Sequence, residues 1–366
     1  MDTPSPAAIT TGPTRWPQLD ALRALAVLAV MLSHFSGTLS SLAPDFGRTG
    51  VRLFFVLSGF LITGILLRAR ARVDAGATTL GAEVRQFFIR RSLRIFPAFY
   101  AVLLVAALLN MESARATFWW HFFYGSNFLM AIRNEWPGIL SHFWSLAVEE
   151  QFYFVWPWLI LLLPYRWLRP AILLTCLTGP LSRAACFSLA PENTVALLTI
   201  TPSCLDLLAA GALLALFRQE RREVACARLR FLGFGSLPVI AFFLLCVPSD
   251  HPAVQILSPA FQALGFAAVI DGAAQGFTGV TGAVLSWRPL IWIGQISYGL
   301  YLTHNFAHWL APRLLRQLTH YRLSYFPSET LHVALLLAVS FTTAVASWYM
   351  IERPFNRLKD RFASAA

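Results

Sequence analysis

The sequence predicts an all-α membrane protein, a bundle of about ten transmembrane helices with both termini cytoplasmic. Three observations carry this. Hydrophobic residues make up 57% of the 366 and charged residues only 13%, against about 25% charged in soluble domains. Mean hydropathy is +0.59. The 29 basic residues, all arginine except Lys359, fall mostly in short gaps between apolar runs. Positive-inside topology produces that distribution, so the net charge of +11 points to a lipid bilayer as partner and not to nucleic acid.

Residues 1–18 form a polar segment rich in Pro and Thr, with no basic region leading into a short apolar core. No cleaved signal peptide is expected there. Residues 19–354 read as one transmembrane domain and 355–366 as a basic cytoplasmic tail. Runs near the ~20 apolar residues a span needs begin at about Leu19, Val51, Leu93, His142, Pro170, Cys204, Phe231, Val254, Pro289 and Leu331. The eighth, Val254 to Gly272, opens with polar residues. Thr117–Ile132 reads as an interfacial or re-entrant helix, with Trp119, Trp120 and His121 at headgroup level.

With the N-terminus inside, the inner segments hold Arg15, the arginines from Arg68 to Arg94, Arg166, Arg169, the group from Arg218 to Arg230, Arg288 and the tail cluster. The outer loops hold only Arg48, Arg115, Arg133, Arg313, Arg316 and Arg322. The bias sets the orientation. Five scattered cysteines without CxxC spacing suggest neither a metal nor a disulfide set.

An ionisable residue inside a span costs roughly 2.5–3.5 kcal/mol on insertion scales and is a functional-site hypothesis by default. The first helix carries Asp20, Arg23 and His34. Eleven residues separate Arg23 from His34, about three turns, so both share a face roughly 16 Å apart. The fourth helix places His142, Ser145, Glu149 and Tyr153 on one face, with Glu150 about 100° away. One carboxylate is expected to face a polar cavity and the other to neutralise an arginine such as Arg23 or Arg52. The ninth helix offers Ser297, Tyr301, His304 and His308 as a stripe. His34, Glu149 and His304 are expected at matched depth, around one cavity. Arg91 and Arg94, three apart at the start of the third helix, can point both guanidiniums at one phosphate. Gly-rich phosphate loops, zinc spacings and a GxSxG elbow do not occur, which disfavours an ATPase, a metallohydrolase or an α/β-hydrolase.

These segments resemble the acyltransferase-3 family of integral membrane O-acyltransferases. The matching segments are Gln18-Leu-Asp-Ala-Leu-Arg-Ala-Leu-Ala with Ser33-His34-Phe, Phe54-Phe-Val-Leu-Ser-Gly-Phe-Leu-Ile62, and Arg91-x-x-Arg94 with Ile-Phe-Pro97. Three more follow in order: Trp144-Ser-Leu-Ala-Val-Glu-Glu-Gln-Phe-Tyr153, Ile293-Gly-Gln-Ile-Ser-Tyr-Gly-Leu-Tyr-Leu-Thr-His304 and Glu352-Arg-Pro354. The resemblance implies transfer of an acyl group, usually acetyl from acetyl-CoA, to a hydroxyl of a carbohydrate, glycolipid or glycosylated acceptor. It implies a multi-pass protein of the bacterial inner membrane and no metal.

By carry-over, Arg23, His34, Glu149 and Glu150 are catalytic candidates and Arg91 with Arg94 hold the CoA phosphates. Asp20, Ser145, Tyr301 and His304 are substrate-binding candidates. His34 would act as general base or as a transient acyl carrier, oriented by Glu149 or Glu150. Many members continue into an SGNH hydrolase-like domain, which does not follow in these residues, so a separate outer-face transferase is a candidate partner. A transporter or flippase is the rival reading, although internal repeats are not apparent.

Overall fold

A computed structural model describes residues 16–43, 45–248, 251–319 and 328–360. The first fifteen residues of the polar segment, Arg322 and the last six tail residues lie outside them.

The described residues are helical, without strands. Eight segments are long and apolar enough to cross a membrane: Pro17–Phe35, Phe46–Asp74, Leu80–Leu108, Tyr165–Leu189, Thr201–Gln219, Glu223–Phe243, Pro252–Gln275 and Glu329–Leu358. They correspond to eight of the ten expected runs. The other two carry Ser145, Glu149, Glu150, Tyr301 and His304. The run at His142 is a continuous 20-residue helix whose Glu149-Glu150-Gln151 lowers its hydropathy. The run at Pro289 is broken into three short helices, Arg288–Gln295, Ser297–Thr303 and Phe306–Thr319.

The elements that position the site are α1 (Pro17–Phe35), α2 (Phe46–Asp74), α3 (Leu80–Leu108), α4 (Ala114–Phe122), α5 (Ser126–Arg133), α6 (Phe143–Leu162), α7 (Tyr165–Leu189), α8 (Leu205–Gln219), α9 (Pro252–Gln275), α10 (Arg288–Gln295), α11 (Ser297–Thr303) and α12 (Phe306–Thr319). Proline at the first position starts α1, where a missing N–H costs nothing. The helix ends at Phe35, and the Ser36 hydroxyl accepts the Leu39 N–H to cap the following turn. His34 therefore sits in the last turn of α1.

Apolar burial adds little to helix association in lipid, where close backbone approach and interhelical hydrogen bonds do the work. The contact of α2 with α8 shows this. A β-carbon on Gly59 would lie 1.8 Å from the Leu208 carbonyl oxygen, and one on Gly211 would lie 2.0 Å from that of Val56. α1 crosses α10 in the same way, Gly294 standing over the backbone of Asp20. Side chains lock the rest. The Gln18 amide donates to the Phe277 carbonyl at 3.0 Å and accepts the Phe277 N–H at 2.7 Å. Trp156 donates to Thr63 at 2.8 Å, fixing α6 against α2.

Two expectations need correcting. α3 begins at Leu80, thirteen residues before Leu93, because the charged stretch Glu83–Ser92 extends the helix beyond its apolar run. Arg91 and Arg94 are therefore inside the helix, about 16 Å and more from its first residue, and its N-terminus adds nothing to them. The Thr117–Ile132 region folds as α4 and α5 joined at Tyr124, whose φ is +52°. Trp119 and Trp120 are exposed, but His121 is fully buried against Phe143.

Candidate active site

Two cavities lie end to end where α1, α2, α6 and α11 meet. The larger, about 410 Å³, is lined by His34, Arg48, Arg52, Trp136, His142, Trp144 and Arg183, among others. The smaller, about 100 Å³, is lined by Arg23, Arg91, Arg94, Ser145, Glu149, Glu150 and Tyr153, among others. Val51, Phe55 and Tyr301 belong to both walls. Between them the Tyr301 hydroxyl is hydrogen-bonded to Ser145 Oγ at 2.5 Å and to the His142 carbonyl at 3.3 Å. Tyr301 with Ser145 is thus a hydrogen-bonded partition.

His34 is exposed to the larger cavity. Its Nδ1 is 2.7 Å from Nε2 of His304, whose own Nδ1 is 2.7 Å from the Tyr301 carbonyl. A carbonyl oxygen only accepts, so His304 Nδ1 carries a proton and, in the neutral ring, Nε2 carries a lone pair. His34 must then donate from Nδ1, which leaves the lone pair of its own Nε2 on the cavity side. The helix break after Thr303 makes this possible. It turns His304 and Asn305 inward, both buried. Asn305 donates to His142 Nδ1 at 3.0 Å, and His142 Nε2 donates to the Leu302 carbonyl at 3.1 Å. His142, with both nitrogens committed, packs its ring 4.8 Å from His304.

In the smaller cavity Arg91 stacks its guanidinium 3.9 Å from the centre of the Tyr153 ring, a cation–π geometry. Tyr153 in turn is hydrogen-bonded to Ser58. Arg91 Nε and Glu150 Oε1 are buried without a hydrogen-bond partner. Arg94 is exposed to the cavity and has no ion pair among the described residues. Arg23 pairs with Asp20 at 3.1 Å. Three arginines and two glutamates thus share one small pocket, with a guanidinium donor of Arg91 left over.

The expected site residues separate accordingly. His34 lines the larger cavity; Arg23, Arg91, Arg94, Ser145, Glu149 and Glu150 line the smaller; Tyr301 lines both. Asp20 and His304 line neither. The expected single cavity around His34, Glu149 and His304 does not form. α1 ends at Phe35, so His34 is one residue from the helix end, whereas Glu149 is six residues into α6, about 9 Å beyond the start. The partner that orients His34 is a histidine and not a glutamate. Nor does Arg52 neutralise a carboxylate of α6: it donates to Gln262 at 3.1 Å, and the arginine whose charge acts on both glutamates is Arg91.

Sequence reasoning passed over Arg183, although an arginine in the middle of an apolar run is its own signal. It is 2% exposed and forms a two-pronged bond with Asp206 at 3.1 and 2.6 Å. Among the described residues, no three His, Cys, Asp or Glu side chains converge as metal ligands would.

A family model described as "Acyltransferase domain", of the acyltransferase-3 type, matches residues 16–351. Among curated proteins, the chain is 29% identical to the peptidoglycan O-acetyltransferase OatA of Listeria monocytogenes, over 93% of this chain and 56% of that one. It is 27% identical to the O-acetyltransferase OatA of Staphylococcus aureus, over 80% of this chain and 50% of that one. The chain thus spans about half the length of the curated relatives it matches. No solved structure matches it significantly.

Proposed function

This chain belongs to the acyltransferase-3 family, and on that premise we propose that it is an O-acetyltransferase of the bacterial inner membrane, moving acetyl from acetyl-CoA to a hydroxyl of a carbohydrate or glycosylated acceptor. The observation that carries the reading is the pairing of an arginine-lined cavity with a second one that holds an oriented histidine, back to back across Tyr301. The relatives named as O-acetyltransferases support the acetyl group and the carbohydrate acceptor.

The arginine bias puts the smaller cavity toward the cytoplasm and the larger toward the outer face. A volume of about 100 Å³ is below the ~300–1,000 Å³ that holds a drug-sized ligand. The nucleotide of CoA therefore stays outside, its phosphates on Arg91 and Arg94, and the thioester arm enters toward Tyr301. The acceptor occupies the larger cavity with its hydroxyl at His34 Nε2. Transfer requires the Tyr301–Ser145 hydrogen bond to open and join the two cavities; as the hydroxyl oxygen then bonds to the thioester carbonyl carbon, its proton passes to Nε2. The C–S electron pair leaves with sulfur, and the thiolate takes the proton back from the imidazolium. His304 keeps the basic nitrogen facing the acceptor and stabilises the cation. For acceptors larger than the cavity, a separate outer-face transferase completes the transfer.

The test is purified protein incubated with acetyl-CoA and a saccharide panel, with free thiol and acetylated saccharide measured together. Matched appearance of both supports the reading. Movement of unaltered saccharide across a sealed vesicle membrane, without thiol release, replaces it with a transporter.

A further inference from the structure

We propose that the larger cavity selects a saccharide carrying a negative charge, a carboxylate or a phosphate, and that Arg52 is the residue that reads it. The role of His34 in this inference rests on the acetyl-transfer reading; the binding itself does not.

Three guanidiniums line the cavity: Arg48, Arg52 and Arg183. Two carboxylates stand behind them. Asp206 is fully engaged by Arg183 through two hydrogen bonds. Asp45 is held closely by Arg48, and its other oxygen is 3.9 Å from Arg52. The two histidines of the wall, His34 and His142, are neutral in the tautomers their partners impose. One positive charge is therefore in excess, and it belongs to Arg52.

That side chain is only 9% exposed. Of its five N–H donors, one is spent on the neutral Gln262 amide at 3.1 Å, and no carboxylate approaches within hydrogen-bond distance. A buried cation in this condition is costly unless an anion completes it. A guanidinium fork matches the two oxygens of a carboxylate or phosphate.

The rest of the cavity suits a sugar. Trp136 and Trp144 stand 6.4 Å apart at 72°, two flat apolar walls whose N–H edges also bond polar groups. The volume of 410 Å³ falls in the range that holds small ligands. His34 opens onto the same space, so an acidic group on Arg52 would fix which hydroxyl meets the base.

The test uses the purified full chain in nanodiscs and measures binding of three probes: a uronic-acid disaccharide, a phosphorylated disaccharide and their neutral counterpart. At least one charged probe is expected to bind wild type tenfold or more tightly than the neutral one, and the tighter of the two names the anion. That preference should collapse in Arg52→Gln and persist in part in Arg52→Lys. Equal binding of all three probes by wild type overturns the proposal, and so does a preference that survives Arg52→Gln. If Arg52→Gln fails to fold, the wild-type comparison decides alone. Charge-selective binding without any acetyl transfer would sink the proposed function and leave this inference standing; transfer to neutral saccharides with no charge preference would do the reverse.

Discussion

The Nδ1 atom of His34 lies 2.7 Å from Nε2 of His304, across 270 residues of sequence, with the two ring planes 1° from parallel. Because His304 gives its own proton to the Tyr301 carbonyl, this contact sets which nitrogen of His34 is basic. His304→Phe removes the acceptor and leaves the tautomer unset. Its kcat is expected to fall about 10²-fold, within the range for positioned acid–base groups, while KM for acetyl-CoA changes little. His304→Gln, whose amide oxygen can still accept, should recover part of the loss. Equal activity of the Phe and Gln variants would show that His304 only fills space.

Arg94 is expected to act on the donor alone. It has no ion pair among the described residues to lose, so Arg94→Gln should leave the fold intact and raise KM for acetyl-CoA about tenfold, the value of one charge-assisted hydrogen bond. Arg91→Gln should also raise it, and in addition lower thermal stability, because it takes the guanidinium off Tyr153 and from beside Glu149 and Glu150. Dephospho-CoA titrations on both variants separate phosphate contacts from general electrostatics.

The Arg183–Asp206 pair is a stability element. Both side chains are almost fully buried, at 2% and 3% exposure. Removing one partner strands a charge in the bundle, at a cost of about 3–5 kcal/mol. Asp206→Asn should therefore unfold in detergent at a markedly lower temperature than wild type, with a smaller loss in the Arg183→Leu/Asp206→Leu double variant.

Glycine substitutions test the packing with an internal control. Gly294→Ala and Gly59→Ala each drive a β-carbon to 1.8 Å from a carbonyl oxygen of the facing helix, so the helices must separate and yield of folded protein should drop. Gly64→Ala meets only the end of the Arg68 side chain at 3.6 Å and should fold like wild type.

His121 gives a pH dependence of stability. It sits in α4, outside the candidate spans, with neither ring nitrogen partnered, and burial pulls its pKa from 6.5 to about 4. With the folded value below the unfolded one, stability is complete above pH 6.5 and drains away as pH falls toward 4. The unfolding midpoint should decline through that window in wild type and decline less in His121→Phe.

What the sequence made legible was whatever leaves a local trace. Apolar runs broken by charge located eight spans, and helical spacing put Arg23 and His34 on one side of α1 at different depths. Contacts between distant helices leave no such trace. Nothing near His34 announces His304 as its partner, and the division by Tyr301 and Ser145 exists only once α6 and α11 touch. The end of α1 at Phe35 was hidden because a short helix, Gly37–Leu42, resumes straight after the break at Ser36. The start of α3 was hidden for the opposite reason, a charged surface that carries on as helix before the lipid begins.

The most direct measurement is acetyl-CoA turnover by wild type and His34→Ala in the same proteoliposomes, with CoA binding measured on both. The variant is expected to bind donor like wild type, since His34 lines the other cavity, and to turn over at least 10²-fold more slowly, the lower bound for a general base. Turnover within about threefold of wild type would contradict the account and remove His34 from the chemistry.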